Sequence, residues 1–188
     1  MPQPMRSLSR TAHTALVLVG LMMGAAPAAA QLGGGLRGTA VGLTYDVPAG
    51  DFAKRVSGGI GVVLRTGSYD GYETWTGRTS FGFDRFPGKG DLDNLQFIGG
   101  GVDFVHHSQP NWYQFGGFTL QQVNYTYKAG ASQTNAVRNG SNFGLTGGIG
   151  FNFGDAGGTQ TFVEVGAVTV FTGASNSAWF PVRFGIRF

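Results

Sequence analysis

Ala178-Trp-Phe-Pro-Val-Arg-Phe-Gly-Ile-Arg-Phe188 alternates in character from residue to residue. Phe180, Val182, Phe184, Ile186 and Phe188 fall on one face of a strand, and Arg183, Gly185 and Arg187 on the other. A soluble sandwich would turn the apolar face to a core and the arginines to water. Five large apolar residues on a closing strand that ends on Phe fit the opposite arrangement. The apolar face then meets lipid, and the arginines point into a polar barrel interior.

The same period of two recurs along the chain, and helical periodicity does not. From Asn142 to Phe153, Phe143, Leu145, Gly147, Ile149, Phe151 and Phe153 alternate with Asn142, Gly144, Thr146, Gly148, Gly150 and Asn152. In residues 74–84, Trp75, Thr79, Phe81 and Phe83 oppose Thr74, Thr76, Arg78, Ser80 and Asp84. The pattern predicts eight strands near 38–47, 58–66, 73–84, 95–105, 112–127, 141–153, 159–171 and 178–188. The expected fold is all-β, an eight-stranded antiparallel up-and-down transmembrane β-barrel. Segments 48–57, 85–94, 128–140 and 172–177 are expected as outer loops, and 67–72, 106–111 and 154–158 as periplasmic turns. Trp112-Tyr113 at one end of strand five and Tyr125 and Tyr127 at the other are expected to mark the two interfacial girdles.

Residues 1–30 read as a cleaved secretory signal peptide: Arg6 and Arg10, an apolar run from Ala15 to Met23, then Ala28-Ala29-Ala30. Residues 31–188 are then the barrel domain. Two of the thirteen Lys and Arg residues lie in the leader and all ten acids lie beyond it, so eleven bases face ten acids, a net charge of +1. No basic run tracks a phosphate backbone, so nucleic acid is not expected as a partner. With no cysteine, disulfides, thiolate metal sites and thiol nucleophiles are excluded. No apolar run beyond the leader is long enough for a transmembrane helix. The abundant glycine, 34 residues, has no collagen-like period and suits a small barrel with tightly curved strands.

An eight-stranded barrel is just wide enough for side chains to fill, so its inward charges must pair. The candidates are Arg65, Arg78, Asp103, Glu164, Arg183 and Arg187. A hairpin centred on 175–176 places Glu164 opposite Arg187, and a second pair is expected between Arg78 and Asp103. His106-His107-Ser108 is the one cluster with catalytic residue types, but it falls on an expected periplasmic turn, and the next acid in sequence is Asp155. Adjacent histidines on a strand point to opposite faces, so zinc is not expected. Gly33-Gly-Gly-Leu-Arg-Gly38 satisfies G-x-G-x-x-G but follows no strand and opens no helix. In the outer loops, Arg85, Phe86, Lys128, Gln133, Asn135 and Arg138 offer groups for surface contacts.

Three segments carry a resemblance. Pro48-Ala-Gly-Asp-Phe52, Phe162-Val-Glu-Val165 and Phe180-Pro-Val-Arg-Phe-Gly-Ile-Arg-Phe188 resemble the first loop, penultimate strand and closing strand of small bacterial outer-membrane β-barrels, the group around OmpX and the OmpA membrane domain. The resemblance implies export through the periplasm to the outer membrane of a diderm, Gram-negative cell envelope. It also implies that Phe180, Val182, Phe184, Ile186 and Phe188 form a C-terminal signal read by the barrel-assembly machinery. Such proteins include adhesins, stability proteins, small pores and a few lipid-modifying enzymes, so no single activity follows. The expectation is a non-enzymatic protein, monomeric and without cofactor, in a structural or surface-interaction role. Its partners would be outer-membrane lipids and lipopolysaccharide. The alternatives are a narrow porin-like pore or small apolar-solute conduit, a lipid A-modifying enzyme of the deacylase kind, which His-x-Ser resembles, and a soluble barrel for an apolar ligand.

Overall fold

In the computed structural model, the structure describes residues 38–67, 74–109, 111–130, 139–155, 158–172 and 175–188. The proposed leader and Gln133, Asn135 and Arg138 lie outside these residues. Eight strands run in sequence: β1 (Thr39–Ala49), β2 (Gly59–Gly67), β3 (Trp75–Pro87), β4 (Leu92–His107), β5 (Trp112–Tyr127), β6 (Gly140–Phe153), β7 (Gln160–Thr172) and β8 (Ser175–Arg187). Each pairs antiparallel with its sequence neighbours, and β8 pairs with β1 to close the barrel. Bonds from the Gly38 amide to the Phe188 carbonyl and from the Phe188 amide to the Thr39 carbonyl finish the seam. A short helix, α1 (Phe52–Arg55), occupies the β1–β2 connection.

The outer strand ends run further than the alternation predicts. Arg85–Pro87 and Leu92–Asn94 are strand rather than loop, so only Gly88–Asp91 joins β3 to β4. At β7–β8 the pairing continues to Thr172↔Ser175 instead of stopping at an open loop. Phe86 and Leu92 in the first extension and Thr172 and Ser177 in the second are buried, and continued pairing keeps them so.

The strand registers fix the barrel's geometry. Starting at Trp75 and stepping through partners His106, Gln114, Ile149, Val165, Val182, Tyr45 and Ile60, the circuit returns to β3 at Arg85, ten residues further on. A shear of ten on eight strands corresponds to a tilt of about 40°, so each residue climbs roughly 2.5 Å along the axis. The interval from Trp75 to Arg85 is then about 25 Å, the height of an outer-membrane apolar belt.

That belt is present, and it faces outward. Leu43, Ile60, Phe81, Phe104, Phe118, Leu120, Leu145, Ile149, Val165, Val182 and Phe184 are all exposed, while Arg65, Arg78, Asp103 and Glu164 are buried. Phe184 is 58% exposed, whereas the Arg183 side chain beside it retains 13%. A folding unit meant for water does not leave this much contiguous apolar surface uncovered.

The aromatic girdle differs from the expected one. Trp112 faces out, but Tyr113 is buried in the interior, and Tyr125 and Tyr127 pack inward against the apolar cluster at the outer mouth. Neighbouring residues on a strand take opposite faces, so Trp112 and Tyr113 cannot serve one girdle. The lower rim is instead marked by Trp75, in tilted contact with His106 at 4.6 Å, and by Trp112, Phe151 and Phe153 in edge contacts.

Candidate functional site

Beginning at the outer mouth, the barrel is closed by an apolar stopper. Phe52, the first residue of α1, turns inward and is fully buried with Val56, Phe86, Phe97 and Trp179. The Trp179 ring lies 4.7 Å from Phe97, 5.5 Å from Phe86 and 5.9 Å from Phe52. Strand parity accounts for this: Trp179 shares a face with Arg183, Phe86 with Asp84, and Phe97 with Asp103. The inward face is therefore polar through its middle, with this apolar cluster at one end and a smaller one, Val105, Tyr113 and Phe115, lower down. Phe86, expected in an exposed loop, belongs to the stopper.

The connection above the stopper is tied down from both sides. The Ser57 amide donates to the Pro87 carbonyl and the Lys89 amide to the Arg55 carbonyl. The Lys89 ammonium reaches the Ala53 carbonyl at 2.7 Å, and the Lys128 ammonium the Gly90 carbonyl at 2.6 Å. On the solvent side Lys54 pairs with Asp51 at 2.7 Å. Hydrogen bonding and charge from Lys54 lower the Asp51 pKa below its ordinary 3.8, and Asp51 in turn raises Lys54 above 10.5.

Beneath the stopper is a polar layer. Thr44 donates to Asp46 at 2.9 Å, and the Gln121 amide donates to Thr119 at 2.8 Å. A cavity of about 50 Å³ opens here, lined by Thr44, Ser80, Asp84, Gln121 and Arg183 among others.

The next layer is an ionic deck centred on Glu164. Arg65 approaches it end-on, with Nη1 2.6 Å from Oε1 and Nη2 2.5 Å from Oε2. Arg78 donates through Nη1 to Glu164 at 2.7 Å and through Nε to Asp103 at 2.9 Å. The Tyr113 hydroxyl adds a third donor to Glu164 Oε1 at 2.8 Å, and Arg183 stands 3.6 Å from Oε2. Arg78 also lies 4.4 Å from the Phe115 ring centroid, and Arg65 5.4 Å from that of Phe162. Space for these rings comes from glycine: a Cβ on Gly150 would enter the Tyr113 ring, and one on Gly185 the Phe162 ring.

Sequence reasoning paired Glu164 with Arg187, and the register corrects this. Because the β7–β8 strands pair up to Thr172↔Ser175, Glu164 comes opposite Arg183, and Arg187 opposite Gln160. Both arginines keep their inward parity, since the shift is an even number of residues. Arg187 lies one level lower, 5.8 Å from the Tyr113 ring centroid, beside a cavity of about 20 Å³ that His107 and Thr76 also line. Arg78 and Asp103, cross-strand partners in register, are in direct contact. Asp46 and Asp84 were absent from the list of inward charges. With them, the described barrel wall turns four arginines (65, 78, 183, 187) and four acids (46, 84, 103, 164) inward, so the interior is formally balanced.

The histidines separate as adjacent strand residues must. His106 packs at a tilt against Trp75 outside, while the His107 Nε2 lies 3.2 Å from the Thr76 hydroxyl and its ring 5.9 Å from the Tyr113 ring inside. The Ser108 hydroxyl is directed to the Trp112 carbonyl at 3.5 Å. Among the described residues no cluster of three His, Cys, Asp or Glu side chains could hold a metal ion.

No protein-family model matches the chain, and no curated protein matches its sequence. Solved structures do share its fold. The Yersinia pestis outer-membrane protein Ail in a phospholipid nanodisc aligns with a TM-score of 0.51 at 12% identity, over 80% of this chain and 98% of that one. Ail, the attachment invasion locus protein, solved with the heparin analogue sucrose octasulfate, gives 0.51 at 14% identity, over 80% and 96%. The N-terminal β-barrel domain of Pseudomonas aeruginosa OprF gives 0.50 at 10% identity, over 81% and 98%. At these identities the likeness establishes architecture: the chain has the fold of eight-stranded outer-membrane β-barrels.

Proposed function

We propose that the protein is a non-enzymatic barrel of the bacterial outer membrane, with a structural or surface-interaction role. The observation that carries this reading is the reversal of polarity: an apolar belt about 25 Å tall faces outward around a charge-balanced, filled interior. Its partners are the lipids and lipopolysaccharide of that membrane, and in biogenesis the barrel-assembly machinery, for which Phe180 to Phe188 supplies the closing-strand signal.

The conduit reading is less well supported, because an apolar stopper and an ionic deck fill the interior at successive levels. Against the deacylase reading, His106 packs against Trp75 and the Ser108 hydroxyl is directed to a backbone carbonyl. Single-channel recording on refolded protein, with lipid A mass spectra from cells with and without the gene, tests the reading. A closed baseline and unchanged lipid A are expected. A steady conductance, or a missing acyl chain that depends on Ser108, overturns it.

A further inference from the structure

The outward faces of β3 to β6 change character at the top of the belt. Arg85 pairs across the sheet with Gln96, and Gln96 with Asn124; next to them Gln122 pairs with Ser141. These five make a polar shelf on one flank, and Asn94, buried where the β4–β5 register shifts, sits above Gln96. Gln96 donates to Asn94 at 3.2 Å, Gln122 to Asn124 at 3.4 Å, and Ser141 to Gln122 at 3.1 Å. From the registers, Gln96, Gln122, Asn124 and Ser141 lie roughly 1–6 Å above Arg85 along the axis.

Two facts separate this flank from an ordinary solvated rim. First, β4 and β5 are the longest strands, sixteen residues each, and they stand about 10 Å above the ends of β1 and β2 as a wall at headgroup level. On the other flank the corresponding heights carry mostly apolar residues, Ala49, Phe171 and Ala178, with Asn176 beside Phe171. Second, the shelf holds one cation without an ion-pair partner among the described residues, Arg85, set where the belt ends. The acid nearest the ladder, Asp93, lies beyond Asn94 and accepts from it at 2.9 Å.

We propose that this shelf binds the headgroup of a phosphorylated glycolipid of the outer leaflet. A guanidinium at the belt edge takes a phosphate in its fork. The carboxamides above it offer donor and acceptor side by side, which suits sugar hydroxyls. A phosphate-only headgroup would need the cation and not the ladder. The proposal rests on the membrane reading above and identifies a site for the lipid partner named there.

The test uses the folded protein in phosphatidylcholine nanodiscs doped either with deep-rough lipopolysaccharide or with phosphatidylglycerol, counting dopant retained per barrel by native mass spectrometry. Wild type is expected to retain lipopolysaccharide over phosphatidylglycerol. The triple variant Arg85→Ala, Gln96→Leu, Asn124→Leu should retain about tenfold less, a factor worth ~1.4 kcal/mol, while Lys54→Ala retains as much as wild type. Equal retention of the two dopants, or no loss in the triple variant, overturns the proposal while leaving the membrane reading intact. Protein that folds but does not enter the discs overturns both, and heat-modified gel migration checks that each variant is folded.

Discussion

Arg65 on β2 and Glu164 on β7, three strands apart around the barrel, meet across its interior through two parallel hydrogen bonds, 2.6 and 2.5 Å long. A cross-barrel fork of this kind braces the cylinder from inside, where strand pairing alone cannot. Glu164 is also the shared acceptor for Arg78 and Tyr113, so a single carboxylate organises the deck.

Removing that carboxylate should therefore cost more than removing any one of its donors. Glu164→Gln leaves buried guanidinium groups without their shared anion, and unfolding stability should fall by about 3–5 kcal/mol, the range for a broken buried pair. Urea unfolding in lipid vesicles measures it, with Arg65→Met as comparison. Equal losses in the two variants would contradict the hub role.

The stopper makes a separate prediction. Trp179→Ala removes the ring that contacts Phe52, Phe86 and Phe97, and should destabilise the barrel by about 3–5 kcal/mol. It should not open a conducting path, because the ionic deck still fills the lumen below. A planar bilayer recording of the variant at closed baseline supports that layering; stable channels would refute it.

Outside, the cost of a charge should follow depth. Val165 lies near the middle of the 25 Å interval and is 49% exposed. Val165→Arg should cost about 2–4 kcal/mol in a bilayer, against about 0–1 kcal/mol for Gln122→Arg above the belt. Matched urea titrations compare the two.

At the surface, Asp51 should titrate below 3.8, and Lys54→Ala should return it toward that value. A carboxylate whose folded pKa is depressed stabilises above the unfolded pKa and loses its contribution as pH falls through the folded one. Both partners are fully exposed, so the effect should be confined to α1 and seen as a chemical-shift titration of Asp51 rather than a change in melting.

Most of the architecture was legible in alternation alone, because inward and outward faces differ so sharply in residues such as Arg183 and Phe184. All eight strands overlap the segments where the period of two placed them, with β3, β4 and β8 running further at their outer ends. Register was harder to read. Glu164 opposite Arg187 followed from a hairpin centre two residues too far along the chain, and parity cannot detect an even shift. The stopper was missed for another reason. An apolar residue on the polar face, such as Trp179 or Phe97, reads as a break in pattern unless its parity is followed to the strand end. Tyr113 was misread because it was grouped with Trp112 by type instead of by face. The bidentate contact from Arg65 depends on closure across the barrel, which no local pattern encodes.

The most direct test of the account follows the exterior by depth. The chain has no cysteine, so single cysteines can be placed at Leu43, Val182, Phe184 and Leu145 in the belt and at Ser141 and Asn176 above it, then spin-labelled in bilayers. Collision with oxygen should dominate at the four belt sites, and collision with a water-soluble nickel chelate at the other two. Belt labels that meet the chelate freely, or that are shielded from both reagents, would contradict an outward apolar face set in lipid.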